Sequence, residues 1–146
     1  MKVNMKVVLA ILALSAQALA VDLNKPAEGV WSISERVCSN NVKEHAPNDA
    51  FVLGRDSMVI EIKDDQGTLT STINGQPYNR LFKVDQQNHT IDAGDGQQVI
   101  YKFDPKDRDP KAKIDYNTLV IMSGGFGERG SCLPNETLFT LLKRAK

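Results

Sequence analysis

From residue 57 to residue 104 the chain is cut into short pieces that cannot hold a long helix. Met58, Ile60 and Ile62 alternate with Val59, Glu61 and Lys63, and Asp64-Asp65-Gln66-Gly67 then marks a turn. Leu69, Ser71 and Ile73 form the returning strand. Asn74-Gly75 is the strongest hairpin signal in the chain, because both residues tolerate the positive φ of a tight primed turn. Tyr78 to Val84 follows it. Residues 90–92 and 98–104 flank Gly94-Asp95-Gly96, which predicts another hairpin with Val99, Tyr101 and Phe103 on one face. Leu119 to Met122 and Leu138 to Lys143 read as the last two strands. Seven or eight short strands with no helical period and no internal repeat define an all-β domain, an antiparallel barrel or sandwich.

The first strand is Gly29 to Cys38, and it carries the only tryptophan. Trp31, Ile33 and Glu35 fall on one face and Val30, Ser32 and Ser34 on the other, the period of a half-buried strand. Beyond Cys38 the composition turns polar. Asn41-Val42-Lys43-Glu44 has capping-box spacing, which predicts one short helical turn before Pro47 ends it.

Residues 1–20 read as a signal peptide. Lys2 and Lys6 charge its start, Val7 to Leu14 is apolar, and Ala18-Leu19-Ala20 is a small-x-small cleavage site. The apolar run is far shorter than the ~20 residues of a spanning helix, so the reading is no membrane span. Residues 21–146 then form a single domain of an exported, periplasmic or secreted protein. Loss of Lys2 and Lys6 leaves 16 Lys and Arg against 18 Asp and Glu, a formal charge of −2. That balance lacks the basic footprint of a nucleic-acid binder. Cys38 and Cys132 make an even pair in an exported chain and predict a disulfide. Closing so long a loop stabilises the fold by roughly 4–5 kcal/mol on the chain-entropy account.

Chemistry-bearing motifs are sparse. Gly125-Phe126-Gly127-Glu128-Arg129-Gly130 matches the dinucleotide fingerprint in letters, but Ser131, Cys132, Leu133 and Pro134 follow where a helix must begin. It reads as a connection, with Phe126 a possible binding-loop residue. Asp104, Asp107, Asp109 and Asp115 lack the glycine and terminal glutamate of a calcium loop and are balanced by Lys106, Arg108, Lys111 and Lys113. His45 and His89 are far apart in sequence, with no further histidine or cysteine to complete a zinc shell. No nucleophile elbow and no acid–base carboxylate pair can be singled out. The reading is therefore no catalytic residue, no cofactor and no metal: a binding protein and not an enzyme.

Gly29 and Trp31 at the start of the first strand, Asp115-Tyr116 ahead of a later one, and Arg144 just past the last one resemble the lipocalin and calycin superfamily. The resemblance implies a small up-and-down barrel. Trp31 would close one barrel end with Arg144 packed across its ring, and the other end would open on a cavity for a small hydrophobic ligand. The second motif of that family is incomplete, because no tyrosine follows three residues after Tyr116. Asn74-Gly75-Gln76-Pro77-Tyr78 is similar to the loop by which exported inhibitors of c-type lysozymes approach their target. That likeness implies a protein partner instead, met through Tyr78.

Overall fold

The computed structural model describes residues 21–92, 98–105, 113–124 and 132–145. Its strands are β1 (Gly29–Ser39), β2 (Glu44–His45), β3 (Ser57–Lys63), β4 (Gln66–Ile73), β5 (Gln76–Asp85), β6 (Thr90–Asp92), β7 (Gln98–Pro105), β8 (Ile114–Gly124) and β9 (Thr137–Arg144). They form one sheet in the order β2-β1-β3-β4-β5-β6-β7-β8-β9, closed by pairing of β1 with β9. Eight strands, β1 and β3 to β9, make a closed antiparallel up-and-down barrel, and β2 is appended to the end of β1 through Cys38↔His45 and Ser39↔Glu44. Closure gives β1 and β9 a partner each where an open sheet would leave two edges.

The turns follow from their residues. Asn74 and Gly75 adopt φ of 51° and 79°, so β4 and β5 join through a two-residue turn whose twist matches that of the strands. Asp64, at φ 55°, does the same between β3 and β4.

Two expectations are corrected. The region 41–44 is not a helical turn. The Asn40 side-chain oxygen accepts the backbone N–H groups of Val42 and Lys43, and Asn41 takes φ 71°, so the polar side chain closes a tight turn that delivers β2 back onto β1. The alternation of β1 also breaks. A register shift between Ile33 and Glu35 against β9 returns Glu35 to the outer wall and brings Arg36 and Cys38 to the inner one.

The core fills the half of the barrel nearest residue 29. Trp31, Leu119 and Leu142 are wholly buried there with Tyr101, Ile62, Val84, Ile91 and Phe103. Burial of each large apolar side chain contributes roughly 1.5–3 kcal/mol. Phe103 is the hub of the aromatic packing, with its ring 6.3 Å from Trp31, 6.1 Å from Tyr101 and 5.2 Å from Tyr116. Phe82 lies across the backbone of Gly67, its cross-strand partner, and a Cβ at Gly67 would fall 2.0 Å from that ring.

Candidate functional site

The two ends of the barrel are built differently. At the base, residues 22–28 cross the opening. Lys25 pairs with Asp64 in the β3–β4 turn, and the Gln86 amide between β5 and β6 accepts from Ala27 N–H and donates to the Asp64 carbonyl. The Trp31 indole N–H donates to the Ala27 carbonyl at 2.9 Å. Arg144 locks the crossing: its guanidinium lies 4.2 Å from the Trp31 ring and donates to the carbonyls of Pro26 (2.7 Å), Glu28 (2.6 Å) and Tyr116 (3.0 Å). Gly29 makes the room. Its φ is 136°, and a Cβ there would sit 2.7 Å from an Arg144 nitrogen.

Above this base the inward-facing residues change character. Leu69, Phe82, Val99 and Ile121 share the inner face with the buried core yet are only partly buried, as are Met58 and Ile73 nearer the rim. The partly exposed upper part of this inner face, here called the cup, carries Leu69, Phe82, Val99 and Ile121 together with Arg80, the cross-strand partner of Leu69. Polar groups dot its wall. Ser71 and Tyr101 are 3% and 1% exposed, and their hydroxyls have no hydrogen-bond partner among the described residues. Burial pushes the Tyr101 phenol up to about 12.

On one side of the cup the β1–β3 connection is tied down as a strap. Arg36 grips Asp49 with two hydrogen bonds of 2.7 and 3.0 Å and lies 5.0 Å from the ring of Phe51. Further along, the Asp56 carboxylate accepts from Val52 N–H, Asn74 N–H and the Arg55 guanidinium, tying the β1–β3 connection to the β4–β5 turn. These contacts, the Arg55 guanidinium first, hold Asp56 well below the usual carboxylate range. Opposite the strap, β6 pairs only with Lys83–Asp85, so Gln76–Phe82 has a strand partner on one side only among the described residues. Tyr78, across from Ser71 and hence on the inner face at the rim, is 54% exposed.

A groove of about 660 Å³ also runs along the outer wall, lined by Glu35, Val37, Val42, Lys102, Phe139 and Leu141. Its strand residues alternate with the inward ones, so it is separate from the cup.

Cys38 and Cys132 are bonded, joining the end of β1 to the approach of β9. The crosslink is in keeping with an oxidising compartment. Next to it, His45 meets the buried carboxylate of Glu136 at 2.7 Å. The second histidine, His89, stacks on Tyr101 at 5.0 Å with an interplanar angle of 13°. Glu136, Asp49 and Asp56 matched no motif in the sequence; their roles come from the pairings Glu136–His45, Asp49–Arg36 and Asp56–Asn74, which only the fold brings together. Phe126, the glycine-rich run 125–130 and residues 1–20 lie outside the described residues.

Fold and site together define an eight-stranded closed antiparallel β-barrel whose base is crossed by residues 22–28. No protein-family model matches the chain, and comparison with curated proteins finds no match. Among the described residues, no helix is long and apolar enough to cross a membrane.

Proposed function

We propose that this is a non-enzymatic exported binding protein of lipocalin-like type, which holds a small hydrophobic molecule in the upper half of its barrel. One observation carries the reading: apolar side chains that face inward but stay partly exposed, above a floor that is fully packed. A bound apolar molecule would gain about 25 cal/mol for each Å² of such surface taken from water. Phe51 under Arg36 is the fixed rim. The Gly29–Trp31–Arg144 clasp serves only to hold the floor.

Titration with a fluorescent apolar probe tests this, comparing two substitutions on neighbouring strands. Ile121→Trp fills the cup and should abolish saturable binding. Ile100→Trp, on the outer wall, should leave it intact. Equal binding by both variants would show that the probe sits elsewhere.

A second reading, a barrel that blocks a protein such as a c-type lysozyme, is favoured by the exposure of Tyr78 (54%) and Leu81 (78%) on β5. Lysozyme inhibition that disappears on Tyr78→Ala would establish it.

A further inference from the structure

At the upper end of β1, the β2 hairpin and the turn before β9 meet at one point. The His45 Nε2 atom stands 2.8 and 2.7 Å from the two carboxylate oxygens of Glu136. Its Nδ1 lies 2.9 Å from the Ala46 carbonyl oxygen, an atom that can only accept, so Nδ1 carries a hydrogen and donates it. Nε2 is thereby aimed at a carboxylate. Two lone pairs would face each other there unless a cation stood between them. A proton suits that place while the disulfide is closed, and the hydrogen bond to Glu136 raises the His45 pKa above its ordinary value.

The carboxylate is equally well prepared. Glu136 is 5% exposed, and its Oε1 also accepts the Leu133 backbone N–H at 2.8 Å. Ligand atoms of Cys38, His45 and Glu136 all lie within 4.8 Å of one another. Cys132 brings a second sulfur, because it is bonded to Cys38. Two sulfurs, one imidazole nitrogen and one carboxylate oxygen make a donor set suited to four-coordinate zinc.

We propose that when the Cys38–Cys132 bond is reduced, the two thiolates, His45 Nε2 and the Glu136 carboxylate bind one zinc ion at the end of β1. Zinc bonds of about 2.0–2.3 Å place tetrahedral donors roughly 3.3–3.8 Å apart. The imidazole and carboxylate must therefore separate by less than about 1 Å, Cys38 Sγ must close on them by up to about 1 Å, and the two sulfurs, 2.01 Å apart while bonded, must part by about 1.8 Å once the bond is broken. Both outer hydrogen bonds are already made, from Nδ1 to Ala46 and from Leu133 to Glu136, and contacts of that kind orient metal ligands. The ion takes the position of the Nε2 proton. Lys43 acts on both His45 and Glu136 and offsets part of the negative charge of the ligands.

The redox step balances with a dithiol reductant. The dithiol gives two electrons and two protons to the sulfur–sulfur bond, which breaks to two thiols while the reductant closes to its own disulfide. Zinc then displaces the two thiol protons. Reoxidation by a disulfide oxidant removes two electrons from the thiolates and releases the ion. Zinc and crosslink are mutually exclusive, and a chain still in its thiol form is held closed at this corner by metal.

Cobalt(II) added anaerobically to phosphine-reduced protein tests the site. One ion per chain is expected, with thiolate-to-cobalt charge transfer and the strong visible bands of tetrahedral coordination, both lost on addition of zinc(II). His45→Ala and Glu136→Gln should each weaken zinc by at least about tenfold, a loss of an outer contact alone being worth 10–100-fold, whereas His89→Ala should not. Oxidised protein should give no thiolate band. Zinc held as tightly by His45→Ala and Glu136→Gln as by the wild type, or pale octahedral cobalt spectra, would overturn the proposal. Circular dichroism keeps the test decisive if reduction unfolds the chain: recovery of the β spectrum by zinc in the wild type but not in His45→Ala supports the site, and recovery in both refutes it.

Discussion

Removal of the Arg144 guanidinium should open the base of the barrel. Arg144→Ala deletes a cation over an indole face, worth about 0.5–2 kcal/mol. It also deletes donors to the Pro26, Glu28 and Tyr116 carbonyls, where hydrogen bonds from a charged group contribute about 1.5–3 kcal/mol each. The full sum is not reached, because Arg144 is only partly buried and water can reach the freed carbonyls. A loss of about 3 kcal/mol remains, or roughly 10–15 °C in Tm for a domain of this size. Trp31 is the only tryptophan, so urea unfolding followed by its fluorescence reads the base directly. Arg144→Lys keeps the charge but not the fork, and should recover less than half of the loss. Gly29→Ala attacks the same clasp from the other side, through a 2.7 Å clash and a residue at φ 136°. Because the clash vanishes with the guanidinium, the two changes combined should cost at least about 1 kcal/mol less than their sum. An Arg144→Ala loss below about 1 kcal/mol, with strict additivity, would refute the clasp.

Other outcomes follow from the same geometry. Trp31→Ala, a large-to-small change at a wholly buried site, should cost on the order of 3–5 kcal/mol in denaturant unfolding. Gly67→Ala should drive the Phe82 ring off the floor of the cup, seen as a lowered Tm and as altered probe binding in the same titration. Asp56 has a folded pKa below its unfolded one, so its stabilisation is complete above about pH 4 and is lost as the pH falls further. Asp56→Asn should lower Tm at neutral pH and flatten the acid limb of the Tm profile. Intact mass of the native protein should show a two-hydrogen deficit that reduction restores, and two alkylatable thiols without reduction would contradict the crosslink.

The strands were legible because turn chemistry is local: Asn74-Gly75 and Asp64-Asp65 carry their own backbone preference, and the residues between them alternate. The β1 bulge was not, since Ser34 and Glu35 continue a plausible alternation and only the register with β9 exposes the break. The Asn41–Glu44 spacing suits a helix start as well as a tight turn, and pairing of β2 with β1 decides for the turn. Trp31 and Arg144 could be linked only through a resemblance, because 113 residues separate them and barrel closure brings them together. The cup itself left no motif. Its wall is made of ordinary strand residues, and only their partial exposure on an inner face distinguishes them from core.

Native mass spectrometry of protein taken from its own source tests the central claim most directly. A mass excess that matches one small apolar molecule per chain, retained under gentle ionisation and absent from Ile121→Trp, is the predicted result. Bare protein under the same conditions, together with no saturable uptake of any apolar probe, would contradict a ligand-holding barrel.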